Sequence, residues 1–183
     1  AAGGIGSGFN AGNLSCGAKM MSVVETLFKP THAGGPATPL LAESWELDSA
    51  NSPPTYVDVT IVSGIQFHGG YGELTADDLV WSINDTNPNL SETLGTGNIS
   101  ITDGSGTWAG FLGSNPTEKT GTHTVRINWE AFDPRWDTWF FGQDGLGAGI
   151  VSKNAYDTEG EAWNQDHLVG TGPFEMTSWA RGD

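Results

Sequence analysis

Basic residues are scarce in this 183-residue chain. Seven Lys and Arg stand against 22 Asp and Glu, which gives a formal net charge of −15 at pH 7. Charged residues make up only 16% of the chain, below the usual figure of about 25%, so the deficit lies in Lys and Arg. Proteins that bind nucleic acid hold its phosphates with these two side chains. The composition therefore argues against a nucleic-acid partner.

Cysteine and the common catalytic motifs are also missing. The single cysteine, Cys16, excludes an internal disulfide and any Cys-based zinc finger. The four histidines are far apart and form no H-x-x-x-H pattern, so we expect no metal site. The sequence has no G-x-S-x-G motif and no phosphate loop that carries a lysine, so it predicts neither an enzyme nor a bound cofactor.

Long apolar runs are absent as well. None reaches the 18 residues that a membrane-spanning helix needs. The first residues, AAGG, lack the charged and apolar regions of a signal peptide. We therefore expect either a cytoplasmic protein or an exported protein whose signal has been removed. With eight Trp and eight Phe the chain is too hydrophobic for disorder, and its length suits one domain or two small lobes.

Alternation of apolar and polar residues predicts several strands. The clearest lie at 56–62 and 122–129, and a weaker one surrounds Trp45 at 41–47. A short strand within 1–15 and a last strand at 174–179 complete the set. The polar segment 91–121 carries two short apolar pieces, at 99–101 and 108–112, which predict a hairpin or two short strands.

Helical spacing of apolar residues alternates with these strands along the chain. The clearest helix covers 75–83, where Thr75 followed by Asp78 resembles a capping box. Ser152 is expected to cap a short helix through Tyr156. Three further helices are predicted at 18–28, 134–141 and 161–168. Strands and helices are interspersed, so the sequence predicts a mixed α/β fold.

The tryptophans divide into two groups. Three lie on the apolar faces of predicted elements, where we expect them in the core: Trp45, Trp81 and Trp129. Trp136, Trp139 and Phe141 stand beside a Gly-rich segment, 142–149. Aromatic rings in such a place either pack in the core or stack on a ligand, and the pattern leaves both roles open.

Short segments in a fixed order carry a resemblance to a known family. They are VETLF at 24–28, PLLAESWE at 39–46, GIQFHGG at 64–70 with LTADDLVWSI at 74–83, IVSKNAY at 150–156 and VGTGPF at 169–174. Their order and spacing resemble the bacterial and archaeal extracellular solute-binding protein family 5. These proteins are the peptide-, nickel- and oligosaccharide-binding components of ABC importers.

The resemblance implies an architecture and a division of the chain. The fold would be part of lobe I of a type II periplasmic-binding-protein-like fold, with its inserted subdomain. Residues 1–40 would start lobe I, residues 41–148 would form the inserted α+β subdomain, and residues 149–183 would return to lobe I. Family members are longer, so the chain is similar to their N-terminal portion, and the opposing lobe would be missing.

The resemblance also implies a function. The protein would be an extracytoplasmic, non-catalytic, monomeric subunit that captures a peptide or another small solute for a membrane permease. Residues of the loop after the first strand are the expected ligand-binding residues, with two aromatic residues as a second set: Asn13, Leu14, Ser15 and Cys16, then Trp139 and Phe141. Other residues of the shared segments are expected to be structural: Glu43, Trp45, Thr75, Asp78, Gly170, Gly172 and Pro173.

A second function stays open at this point. A carbohydrate-binding or carbohydrate-active module would use the Trp and Phe rings to stack on sugars. It would show an exposed line of aromatic rings, and a hydrolase would add a pair of carboxylates at a fixed separation.

Overall fold

The structure, a computed structural model, describes residues 22–29, 37–86, 90, 110–142, 149–164 and 167–178. In chain order its elements are strands β1 (Phe28–Lys29), β2 (Thr38–Pro39), β3 (Ala42–Leu47) and β4 (Tyr56–Ile61), a 3₁₀ turn (His68–Gly70), helix α1 (Ala76–Thr86), strands β5 (Thr117–Lys119) and β6 (Thr124–Asn128), a π-helical turn (Trp136–Phe140), and helices α2 (Lys153–Glu159) and α3 (Glu161–Asn164). Helices and strands alternate, which confirms the predicted mixed fold class.

The main sheet has four antiparallel strands in the order β3-β4-β6-β5. On β4, Val57, Val59 and Ile61 are buried, while the residues between them are half-exposed. Strand β6 shows the same alternation through Val125 and Ile127. β-Branched residues at every second position suit a sheet with one covered face. The strands predicted at 56–62 and 122–129 are thus confirmed, and so is the one at 41–47.

Helix α1 begins where the capping pattern predicts it. Asp78 Oδ2 accepts hydrogen bonds from the backbone nitrogen and the hydroxyl of Thr75, each at 3.0 Å. Leu79 and Ile83 are buried on one face of the helix, and the helix continues to Thr86, beyond the predicted end. None of the helices in the described ranges is long and apolar enough to cross a membrane.

The helix predicted at 18–28 is wrong in its described part. Residues 22–29 form a turn and an extended stretch that ends in β1. Val24, Thr26, Leu27 and Phe28 are all buried and Glu25 between them is half-buried, so burial follows consecutive residues rather than one helical face. Successive buried residues are typical of an extended segment inside a core. Residues 18–21 of that prediction lie outside the described residues.

Other predicted elements were partly wrong. The stretch predicted as a last strand at 174–179 shows no strand pairing over residues 174–178, and residues 110–112 are helical rather than extended. The segment predicted as a helix at 134–141 forms the π-helical turn. Helix α3 is shorter than predicted, because residues 167 and 168 are not helical. The pieces predicted at 1–15 and 99–101 lie outside the described residues.

Helix α2 confirms the predicted cap at Ser152. The hydroxyl oxygen of Ser152 accepts a hydrogen bond from the backbone nitrogen of Ala155 at 3.1 Å. The helix then runs past Tyr156 and ends at Glu159, where Gly160 follows with a positive φ of 81°. A side-chain cap at one end and a glycine at the other bound the helix locally.

Three tryptophans test the prediction of the core. Trp81 and Trp129 are each 7% exposed, as expected, but Trp45 is 39% exposed. Trp45 is paired with Val59, so it lies on the covered face of the sheet. Its strand ends the sheet, and its indole packs edge-on against Phe28, with ring centres 5.0 Å apart. The pattern of β3 predicted the correct face but not the position at the sheet edge.

Candidate functional site

Both ends of the Gly-rich segment 142–149 lie beside one extended stretch of chain. At the first end, the backbone nitrogen of Phe28 donates to the carbonyl oxygen of Phe141 at 3.0 Å. At the other end, the nitrogen of Ile150 donates to the carbonyl oxygen of Glu25 at 2.9 Å. The stretch 25–28 therefore contacts the residues that flank this segment on both sides.

The turn Gly170–Pro173 packs against the start of the same stretch. The nitrogen of Gly172 donates to the carbonyl oxygen of Val23 at 2.8 Å, and that of Phe174 donates to Ser22 at 3.0 Å. A Cβ atom on Gly170 would lie 2.1 Å from the Val23 oxygen. One on Gly172 would lie 2.6 Å from the Ser22 oxygen. The two backbones are therefore in contact, and only glycine fits at these positions.

Side chains add two further links across this contact. The hydroxyl of Thr171 donates to Glu25 Oε2 at 2.8 Å. His68 Nε2 lies 2.8 Å from the carbonyl oxygen of Gly172, and because a carbonyl can only accept, Nε2 carries the proton. His68 Nδ1 is buried without a hydrogen-bond partner. The turn is thus held to two other parts of the chain at once.

We call the four residues Ser22, Glu25, Thr171 and Phe174, which lie where the turn contacts the stretch, the junction strip. Ser22 and Phe174 are exposed, and Glu25 and Thr171 are half-buried. Phe174, at 65% exposure, and Trp45 are the large apolar side chains exposed in the described part of the chain. The strip therefore offers a carboxylate, two hydroxyls and an aromatic ring on one backbone framework.

The aromatic residues beside the Gly-rich segment differ in how far they are buried. Phe141 is fully buried and Trp136 is 5% exposed, so neither ring presents a surface to a ligand in this structure. For Phe141 this corrects the expectation from the sequence. The two rings pack against each other, with centres 6.5 Å apart. The π-helical turn is wider than an α-helical one, and the nitrogen of Phe141 donates to the carbonyl oxygen of Trp136 at 3.0 Å. Two residues five positions apart are therefore both buried, which a pattern of ordinary helical spacing does not predict.

Trp139 differs from these two rings. It is half-buried, and the guanidinium carbon of Arg135 lies 5.3 Å from its ring centre. Arg135 in turn pairs with Asp133 at 2.6 Å, and this neighbour lowers the pKa of the Asp133 carboxyl below its usual range. Trp139 thus keeps a partly exposed ring beside the start of the Gly-rich segment.

The other predicted ligand residues, Asn13, Leu14, Ser15 and Cys16, lie outside the described residues. The chain that follows them enters the described structure at Ser22, on the junction strip. Within the described ranges, no group of three or more His, Cys, Asp and Glu side chains is arranged to hold a metal ion.

Sequence reasoning missed Glu25 and Thr171 as members of a site. Glu25 fell within a wrongly predicted helix, and Thr171 fell within a turn that was given a structural role. Both belong to the short segments that carried the family resemblance, so their presence in those segments was the available signal. Their contact spans 146 positions of sequence, which no local pattern reports.

The comparison with protein families is decisive here. The family described as bacterial extracellular solute-binding proteins, family 5 Middle, matches residues 37–183. The chain belongs to this family. No curated protein sequence matches it. Members of family 5 bind substrates rather than transform them, and they are periplasmic or extracellular proteins.

Solved structures show the same fold. The dipeptide-binding protein from Pseudoalteromonas sp. SM9913, in complex with Met-Leu, is similar at a TM-score of 0.74 and 18% identity, over 94% of this chain and 35% of that one. The oligopeptide-binding protein AppA from Bacillus subtilis, in complex with a nonapeptide, has a TM-score of 0.68 and 22% identity, over 92% and 30%. NikZ from Campylobacter jejuni, in complex with Ni(L-His), has a TM-score of 0.62 and 21% identity, over 88% and 28%.

The family 5 chain therefore spans about a third of the length of these structures. That share is consistent with part of one lobe of a periplasmic binding protein, as the resemblance implied. These structures establish the fold; the three ligands belong to those proteins.

Proposed function

We propose that this chain forms part of the solute-capturing subunit of an ABC importer that takes up peptides or similar small solutes. The subunit works outside the cytoplasm as a monomer and delivers its ligand to a membrane permease. The observation that carries the proposal is the family 5 match across residues 37–183. Peptides and a nickel–histidine complex are the ligands of the similar structures, and they define the chemical range.

The ligand in this proposal lies at one side of the lobe and is enclosed by a hinge motion, as in two-lobed binding proteins. The loop with Asn13, Leu14, Ser15 and Cys16 lines the ligand site, together with Trp139. The proposal also places the junction strip, which begins six residues after Cys16 in the sequence, at the border of this site. The division into 1–40, 41–148 and 149–183 remains part of the proposal.

The carbohydrate alternative has less support from the described residues. A sugar-binding face needs several aromatic rings exposed side by side. In the described part of the chain, the exposed large apolar residues are Trp45 and Phe174, and they belong to separate elements. Two rings that do not lie side by side are not the stacking platform that a sugar-binding face needs.

Native mass spectrometry of the 183-residue chain tests the proposal. Three probe sets are offered: a mixture of di- to pentapeptides, nickel with free L-histidine, and maltotriose with cellotriose. We expect retention of a peptide or of the nickel complex, and no retention of the sugars. Cleavage of a sugar probe would overturn the proposal in favour of a carbohydrate-active module. Retention of the sugars alone would overturn the assignment of peptides or similar small solutes as the ligand class.

Two variants locate the retained ligand. Trp139→Ala removes a half-buried ring beside the Gly-rich segment, whereas Trp45→Ala removes an exposed ring on the edge strand β3. We expect the first to weaken retention and the second to leave it unchanged. The reverse result would remove Trp139 from the site.

A further inference from the structure

The described basic residues are almost all occupied in ion pairs. Four pairs use four of them: Lys119–Asp77, Arg126–Asp58, Arg135–Asp133 and Lys153–Asp157. Lys29 is the one basic residue of the described ranges outside these pairs, and it is exposed. Few cations are thus left over to hold an anionic ligand, in a chain whose net charge is −15.

Glu25, in contrast to these paired basic residues, is a charged residue without an ion pair among the described residues. Its carboxylate is half-buried on the junction strip and makes no ion pair with the described basic residues. The Thr171 hydroxyl donates to Oε2 at 2.8 Å, and the Ile150 nitrogen donates to the Glu25 carbonyl at 2.9 Å. Backbone and side chain are therefore both held in place. The second carboxylate oxygen, Oε1, is left to accept a hydrogen bond from a donor outside the described chain.

An ammonium group suits this position best. Hydrogen bonds between an ammonium and a carboxylate are about twice as strong as neutral ones, and a carboxylate that is partly removed from water gains most from such a partner. The acidic chain as a whole also raises the local concentration of cationic solutes.

We propose that the junction strip binds the protonated amino group of a cationic solute, with Glu25 as its counter-ion, so that the protein prefers amine-rich peptides to acidic ones. This inference rests on the proposed solute-binding function and narrows its substrate class. Thr171 is a positioning residue, because it acts on the ligand through the Glu25 carboxylate.

The test is an NMR titration of the ¹⁵N-labelled 183-residue chain with Lys-Lys-Lys, Ala-Ala-Ala and Glu-Glu-Glu. A pH of about 8 keeps the side chains of trilysine charged, because an ordinary lysine has a pKa of about 10.4. Salt at about 0.15 M reduces the Debye length to about 8 Å and suppresses attraction from distant charges. We expect trilysine to bind about tenfold more tightly than trialanine, and triglutamate more weakly than both. The amide signals of Glu25 and Thr171 should shift with trilysine.

Matched variants separate the local carboxylate from the overall charge. Glu25→Gln and Glu46→Gln each remove one negative charge, and Glu46 is an exposed residue of β3. We expect Glu25→Gln to abolish the preference for trilysine and Glu46→Gln to keep it. Thr171→Val leaves the carboxylate in place, so it should reduce the preference without removing it. If Glu25→Gln does not fold, the unchanged chain is titrated instead with trilysine whose amino groups are all acetylated. We expect this neutral peptide to lose the tight binding.

The outcomes distinguish the two proposals. Equal affinity for all three peptides, or the same loss for both glutamine variants, would overturn the inference and leave the solute-binding function standing. Tighter binding of triglutamate would do the same. If no peptide binds and neither the nickel complex nor any longer peptide is retained in the mass spectrometry above, both proposals fail.

Discussion

Asp78 joins the starts of two helices that are far apart in sequence. Its Oδ2 atom accepts from Thr75 at the start of α1, and its Oδ1 atom accepts from the backbone nitrogen of Lys153, the first residue of α2, at 2.9 Å. Asp78 is 5% exposed. Free amide groups at a helix start need partners, and this one carboxylate supplies them for both helices.

Replacement of Asp78 should therefore be costly. We expect Asp78→Ala to lower the free energy of unfolding by about 2–3 kcal/mol, because half-buried donors at the starts of two helices lose their acceptor. Asp77→Ala is the matched control. Asp77 is the exposed neighbour paired with Lys119 at 2.7 Å, and such surface pairs contribute about 0–1 kcal/mol. Urea unfolding measures both, and equal losses would contradict the proposed role of Asp78.

Asp48 should make the stability depend on pH in the acid range. Its carboxylate accepts from the Thr55 hydroxyl at 2.7 Å and the Asn51 amide at 2.8 Å, and also from the backbone nitrogens of Ala50 and Thr55. The Thr55 hydroxyl is the largest of the causes that hold the pKa of Asp48 well below its usual range. Because the folded-state pKa is depressed, the ionised carboxylate stabilises the fold at neutral pH. That contribution is lost as the pH falls below the ordinary aspartate value of about 3.9.

Urea unfolding of the unchanged chain and of Asp48→Asn at several pH values checks this dependence. We expect the unchanged chain to be more stable at neutral pH and the difference to shrink steadily below about pH 4. Thr55→Val, which removes the strongest donor, should shift the loss to higher pH. Asp157→Asn, at an exposed ion pair, serves as the control. A difference that does not vary with pH would show that the charge of Asp48 is unimportant.

Gly170 should tolerate no side chain. A methyl group there would lie 2.1 Å from the Val23 carbonyl oxygen, so the turn or the stretch beside it would have to move. We expect Gly170→Ala to cost about 1–3 kcal/mol of unfolding free energy. Gly110→Ala is the control, since nothing lies within 4 Å of its added Cβ in a helical segment, and it should be neutral or slightly stabilising. Similar stability of both variants would refute the close contact.

Salt should stabilise the protein. With a net charge of −15, repulsion between carboxylates opposes the compact state, and added ions screen it. We expect Tm to rise as KCl increases from about 0.05 M to about 1 M, over which the Debye length shortens to about 3 Å. Sorbitol at equal osmolality is the control, because it shows how an uncharged solute alone changes Tm. A Tm that stays constant or falls in KCl would exclude repulsion as a significant term.

Local patterns carried much of the fold. Strands β4 and β6 follow from alternation of β-branched residues, and α1 and α2 follow from Thr75 with Asp78 and from Ser152. Each of these features depends on residues within a few positions of one another, where side-chain period and capping act directly. The order of short segments along the chain also indicated the family, which the match over residues 37–183 confirmed.

The site depended on contacts that no local pattern contains. The amino-acid sequence alone determined the acidity, the strands β4 and β6, the two capped helices and the family. The tertiary structure alone decided that residues 22–28 are extended, that Phe141 is buried, that Trp45 is exposed at a sheet edge, and that Glu25 meets Thr171. A hydrophobic side chain is more stable when it is buried, and this much is known from the sequence. Whether it is covered, and by what, depends on which distant segment packs there.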